Sequence, residues 1–118
     1  MAKKTWIRIG FASLLALFGG LSLGATASAD CLSGWQTTWT NTSSCCSGSH
    51  CGYAYGTTSP RKINVFGGNL GGGWFATGQG ATSGGSSRCT ATTTTGSTVS
   101  SSCPSSAVKH RAYVAFLE

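Results

Sequence analysis

The chain has 118 residues, with 8 Lys and Arg against 2 Asp and Glu, a formal charge of +6, and 6 cysteines. Acids this scarce exclude hydrolysis by paired carboxylates flanking a bond, because the two present, Asp30 and Glu118, sit far apart in the chain. A length of this order sets one small domain whose apolar core gives little stability to spare.

The first element is a targeting segment. Lys3, Lys4 and Arg8 make a basic start, and residues 9–24 form an uncharged apolar run, shorter than the roughly 20 residues that span a bilayer. Ala25-Thr26-Ala27-Ser28-Ala29 then supplies small residues for cleavage after Ala29. The sequence therefore predicts a signal peptide over residues 1–29. Residues 30–118 follow as a single small secreted or periplasmic domain with no transmembrane segment. On that chain Arg61, Lys62, Arg88, Lys109 and Arg111 stand against Asp30 and Glu118, a net charge of +3. All six cysteines (Cys31, Cys45, Cys46, Cys51, Cys89 and Cys103) lie beyond the cut. An even number in a short exported chain reads as a disulfide framework, and three bonds are expected. Each can contribute about 2–4 kcal/mol, mostly by restricting the unfolded chain.

No later segment keeps a helical period. Trp35, Thr37 and Trp39 alternate first, followed by Asn41-Thr42-Ser43, a glycosylation sequon in a eukaryotic host. Residues 43–56, "SSCCSGSHCGYAYG", gather Cys45, Cys46, His50 and Cys51 just before Tyr53 and Tyr55. Ser59-Pro60-Arg61-Lys62 reads as a turn, and Ile63 and Val65 alternate after it. Residues 66–80 surround Leu70, Trp74 and Phe75 with glycine and read as a long loop or irregular hairpin. Residues 110–118 are apolar on both faces and predict a buried central strand. Together these give an all-β, disulfide-stapled domain of short antiparallel strands with Gly-, Ser- and Thr-rich loops. Cys31 to Cys45 and Cys89 to Cys103 enclose equal stretches, which suits two hairpins, each tied near its base. Cys31–Cys45, Cys89–Cys103 and Cys46–Cys51 is one pairing that follows. Others stay open, save those joining the strained vicinal pair Cys45–Cys46.

Cys45, Cys46, His50 and Cys51 are also a chemically reasonable zinc set. Vicinal cysteines seldom point at one ion, and exported thiols oxidise first, so neither metal nor cofactor is expected. His50 and His110, with Lys109, Arg111 and the Arg61-Lys62 pair, would be the minimal apparatus of a histidine-dependent ribonuclease. Histidines are more often plain polar residues, and no catalytic residue and no enzyme is expected. The cations, almost unopposed by acids, favour anionic envelope components over any specific nucleic acid. Tryptophan and tyrosine beside them suit membrane interfaces and sugar faces alike. The candidate binding residues are Tyr53, Tyr55, Trp74, Arg61, Lys62, Lys109 and Arg111.

Cys45-Cys46-Ser47-Gly48 leading to Cys51-Gly52, with Tyr53 and Tyr55 just after, resembles hevein-type chitin-binding domains over about eleven residues. The gap to Cys51 is one residue short. Gly48, Ser49 and His50 stand where that family has aromatics, and the family carries more cysteines. No function is carried over from it.

The expectation is a secreted, cationic, non-enzymatic effector, antibacterial and bacteriocin-like, acting on cell envelopes. The alternatives are a carbohydrate or cell-wall-binding module and a secreted inhibitor or structural surface protein.

Overall fold

The computed structural model describes residues 29–117, so the expected signal peptide lies outside the described residues apart from Ala29. Eight strands follow in order: β1 Ala29–Leu32, β2 Thr42–Ser47, β3 His50–Thr58, β4 Arg61–Gly68, β5 Trp74–Ala81, β6 Ser87–Thr93, β7 Val99–Ser102 and β8 Lys109–Phe116. They form two antiparallel sheets, one ordered β1-β8-β5-β6 and the other β2-β3-β4-β7. The sheets pack face to face as a sandwich. The all-β, stapled, antiparallel architecture is the expected one, and β8 is a central strand as expected, but its two faces are not both apolar: Lys109 and Arg111 lie on the outer one.

Alternation sets what each strand turns inward. Gly52, Ala54 and Gly56 of β3, Ile63 and Val65 of β4, Ala76, Gly78 and Gly80 of β5, Ala91 of β6, and Ala112 and Val114 of β8 are buried between the sheets. These are small side chains, and the sheets close until nothing larger fits. A Cβ on Gly52 would lie 2.9 Å from Val114 Cγ2, and one on Gly78 would lie 3.0 Å from Ala54 Cβ. At one end the gap widens around a single large side chain. Trp39 lies over Gly56 and Gly80, its Nε1 donating to the Thr57 carbonyl oxygen at 2.9 Å. Its own carbonyl accepts from the Gly56 N–H at 2.9 Å.

Three expectations are corrected. Residues 66–80 are no long loop: a short turn around Asn69 and Gly71–Gly73, all with left-handed φ, delivers the full strand β5. Gly78 and Gly80 are strand residues there because no side chain fits: Gly78 meets the opposite sheet, and Gly80 meets Cys89 Sγ and Trp39. Trp35, Thr37 and Trp39 do not form a strand. Residues 33–41 cross irregularly from one sheet to the other, and their one isolated bridge, Gln36–His110, is to β8 of the sheet they leave. The Cys31–Cys45 and Cys89–Cys103 stretches are not hairpins either, since β1 and β2 belong to different sheets, as do β6 and β7.

The cysteine-rich stretch is a hairpin. β2 and β3 meet across Gly48-Ser49, with Gly48 at φ 63°, the left-handed conformation that primed two-residue turns require. Cys46 and Cys51 face each other in register and are bonded, and Cys89 is bonded to Cys103. Cys31 and Cys45 remain thiols, so two of the three expected bonds are closed.

The close approach gives a direct test. A Cβ on Gly56 would lie 2.3 Å from Trp39 Cε2, whereas one on Gly34 meets nothing within 4 Å. Gly56→Ala is expected to lose about 1–3 kcal/mol in urea denaturation, the usual range for overpacking a filled core. Gly34→Ala is expected to match the parent protein in the same titration.

Candidate functional site

The outward positions of the two sheets make two different surfaces. On the β1-β8-β5-β6 sheet, Lys109, Arg111 and Tyr113 of β8 stand beside Ala81, Gln79 and Thr77 of β5. The irregular segment after β1 brings Trp35 over this face. Its ring centroid lies 4.3 Å from Arg111 Cζ and 4.8 Å from Lys109 Nζ, so two cations share one indole. Arg111 Nε donates to Gln79 Oε1 at 2.9 Å, and Lys109 Nζ donates to the Ser83 carbonyl oxygen at 3.3 Å. Burial pushes the Arg111 guanidinium below its ordinary range, with Tyr113 opposing in part. The face continues through Phe75, edge-on to Tyr113 at 6.4 Å, and beneath it the buried Thr77 hydroxyl lies 3.0 Å from that of Thr92.

On the β2-β3-β4-β7 sheet the outward rows are aromatic and uncharged, except at Lys62. Tyr53 stacks on Phe66 at 4.9 Å, and Tyr55 meets the same ring edge-on at 6.3 Å. Asn64, beside Tyr55, donates to the Tyr55 carbonyl at 3.2 Å and accepts from Ser100 Oγ at 2.5 Å. Ser44 pairs with Tyr53, Thr42 with Tyr55, and Ser102 with Lys62, which rims the aromatics with hydroxyls.

The expected residues are therefore divided between surfaces. Tyr53, Tyr55 and Lys62 share one face, and Lys109 and Arg111 share the opposite one. Arg61 joins neither: its Cζ lies 5.0 Å over the Trp39 ring, and its Nη1 is buried without a partner among the described residues. Trp74 turns inward and closes the far end of the core, stacked on His50 at 4.1 Å and tilted against Phe116 at 5.3 Å. Trp74 also lines a cavity of about 500 Å³, together with Gly71–Gly73, Phe75, Thr92, Thr94 and Leu117. Trp35 and Phe66 were not singled out from sequence. Strand alternation from Tyr53 through the turn at Pro60 points to Phe66 in retrospect, but the alternation of Trp35 with Thr37 and Trp39 reads as a strand and does not place Trp35 over the cations.

The two histidines do not meet. His50 stacks on Trp74, which is paired with Phe116, while His110 is paired with Gly80, six residues further along β5. At the rise of a strand that separation is roughly 20 Å. No two-imidazole centre is formed. Among the described residues no group of His, Cys, Asp and Glu is placed to hold a metal ion. No helix among the described residues is long and apolar enough to cross a membrane.

His110 is instead a buried structural group, fully excluded from solvent. Its Nδ1 lies 2.9 Å from Ser43 Oγ, its ring is edge-on to Trp39 at 5.7 Å, and its Nε2 has no hydrogen-bond partner among the described residues. Burial holds its pKa below the ordinary 6.5, and the nearby backbone of Asn41, Thr38 and Trp39 opposes this only in part.

Compared with protein-family models, with curated proteins and with solved structures, the chain matches none. The hevein-like stretch is thus a local likeness only, and function is read from the two faces.

The buried histidine predicts a pH dependence. The folded protein keeps His110 neutral while the unfolded chain protonates it near pH 6.5, so the unfolded state binds more protons below that value. Stability is expected to be level above about pH 6.5 and to fall as pH drops towards about 5. Urea midpoints across this range should show the fall, and His110→Gln should flatten it.

Proposed function

We propose that this protein is a secreted, non-enzymatic effector that acts on bacterial cell envelopes in the manner of a bacteriocin, and that it meets the envelope through the face carrying Trp35, Lys109 and Arg111. The observation that carries the reading is the single indole shared by Lys109 and Arg111 on the outside of a sheet. The described part of the chain holds one acid, Asp30, which lies on the edge strand β1. Two cations held in place beside an indole match the phosphates of lipid headgroups and of teichoic or lipopolysaccharide chains. Charge attracts the anion, and the indole sits at the boundary between polar and apolar matter.

Binding to vesicles containing anionic lipid, and inhibition of indicator bacteria, are expected to fall together in Lys109→Ala/Arg111→Ala. Near an anionic surface each cation contributes about 1 kcal/mol, so the double variant should bind roughly 10- to 30-fold more weakly. The parent protein's affinity should drop as salt rises, since exposed charges are screened. His50→Ala should leave inhibition intact. Unchanged vesicle binding and killing in the double variant would remove this face from the action.

A second reading has its own observation. The Tyr53, Phe66 and Tyr55 cluster, rimmed by the hydroxyls of Thr42, Ser44 and Ser102, suits the apolar faces and hydroxyls of a glycan. In that case retention on peptidoglycan or chitin is expected to be lost in Tyr53→Ala/Tyr55→Ala and to be insensitive to salt. Retention unchanged in that variant would exclude it.

A further inference from the structure

The two closed disulfides act at different levels of the fold. Cys46–Cys51 joins neighbouring strands within one hairpin. Cys89–Cys103 ties β6, an edge of one sheet, to the residue that follows β7, an edge of the other. The sheets are stacked with their orders running the same way, so this bond closes one open side of the sandwich. On the other side β1 lies by β2, and each of these edge strands carries a thiol: Cys31 and Cys45. Cys45 Sγ lies 3.2 Å from the Cys31 carbonyl oxygen and 3.5 Å from that of Ala112, which sets the two cysteines side by side. The separation along the chain is 14 residues for this pair and for Cys89–Cys103.

We propose that Cys31 and Cys45 are joined in the exported protein by a third disulfide, which closes the second side of the sandwich as Cys89–Cys103 closes the first. The proposal is independent of what the two outer faces bind. The reaction needs an external disulfide as oxidant, either a low-molecular-weight one or the catalytic disulfide of an oxidoreductase. Cys31, the more accessible sulfur, gives up its proton and attacks that disulfide. One external thiolate leaves and takes up the proton, and a mixed disulfide remains on Cys31. Cys45 then gives up its proton, attacks Cys31 Sγ and expels the second external thiolate, which is protonated in turn. Two cysteine thiols are oxidised and one external disulfide is reduced to two thiols. The order follows from burial. Cys45 is enclosed, its thiol pushed up to about 12, first by loss of water and then by Cys31, and it donates to backbone carbonyls. Attack by Cys45 is therefore the slow step, made possible by its partner lying beside it.

The test is cysteine mapping on the full chain, exported by its own N-terminal segment and purified without reductant. The protein is unfolded, treated with iodoacetamide and digested. The expected result is no alkylated cysteine and a linked peptide pair containing Cys31 and Cys45. Alkylation of both Cys31 and Cys45, with the other four protected, would overturn the proposal. A second measurement addresses the order of attack. With glutathione disulfide, Cys45→Ser is expected to accumulate a glutathione adduct on Cys31, and Cys31→Ser far less on Cys45. The reverse pattern would refute the order. Cys31→Ser/Cys45→Ser should keep both other disulfides and unfold at a lower urea midpoint than the mapped parent protein. An unchanged midpoint would refute the stapling role.

Discussion

The close approach of the two sheets is the constraint on which the rest of this molecule depends. It is set at a few positions where no side chain fits, Gly52 against Val114 and Gly78 against Ala54, while Gly56 and Gly80 make room for Trp39 where the gap widens. A core of Ala, Gly and a few branched residues has little apolar surface to bury per residue. Its hydrophobic stabilisation is correspondingly small, since that term scales with apolar area removed from water. Two consequences follow. The interior holds one large aromatic plug and one buried imidazole at one end and a Trp74–His50 stack at the other. The deficit is offset by covalent links at the margins, where edge strands would otherwise separate first.

The same constraint decides where large side chains go. With the inner faces reserved for small residues, Tyr53, Tyr55 and Phe66 are turned outward on one sheet and Tyr113, Phe75 and Arg111 on the other. In most sandwiches the inner faces hold the aromatics and the outer faces are simply polar. Here the distribution is partly inverted. Fixed strands hold the outward aromatics in cross-strand pairs, so little conformational freedom remains to be lost on binding a partner.

Much of this architecture was legible in the sequence, because period-two alternation and clustered turn residues survive any choice of core. The alternation of Tyr53 with Tyr55, of Ile63 with Val65, and the apolar residues of 110–118 placed three strands correctly, although the outer face of the last proved cationic rather than apolar. The rest was hidden for identifiable reasons. Glycine is read locally as a turn former, and only the fold reveals that Gly78 packs against the opposite sheet and Gly80 against Cys89 and Trp39. Trp35 and Trp39 alternate like a strand, yet they take separate roles, one over two cations outside and one as the core's plug. Equal cysteine spacing was informative about a repeated relation. The relation is a crossing between sheets rather than a hairpin, and spacing alone does not distinguish the two.

The candidate site was legible as composition but not as geometry. Neighbours in sequence are separated by strand alternation: Arg61 lies against Trp39 at the end of the core, while Lys62 reaches the tyrosine face. Lys109 and Arg111, two residues apart with a buried histidine between them, are brought to one surface by the same rule. That histidine ties surface to core. His110 faces Trp39 and Ser43 inside while its two neighbours hold Trp35 outside, so the strand that presents the cations is anchored by the most buried polar group in the fold. The buried imidazole and the displayed charges are alternate residues of one rigid strand, and each fixes the register the other needs.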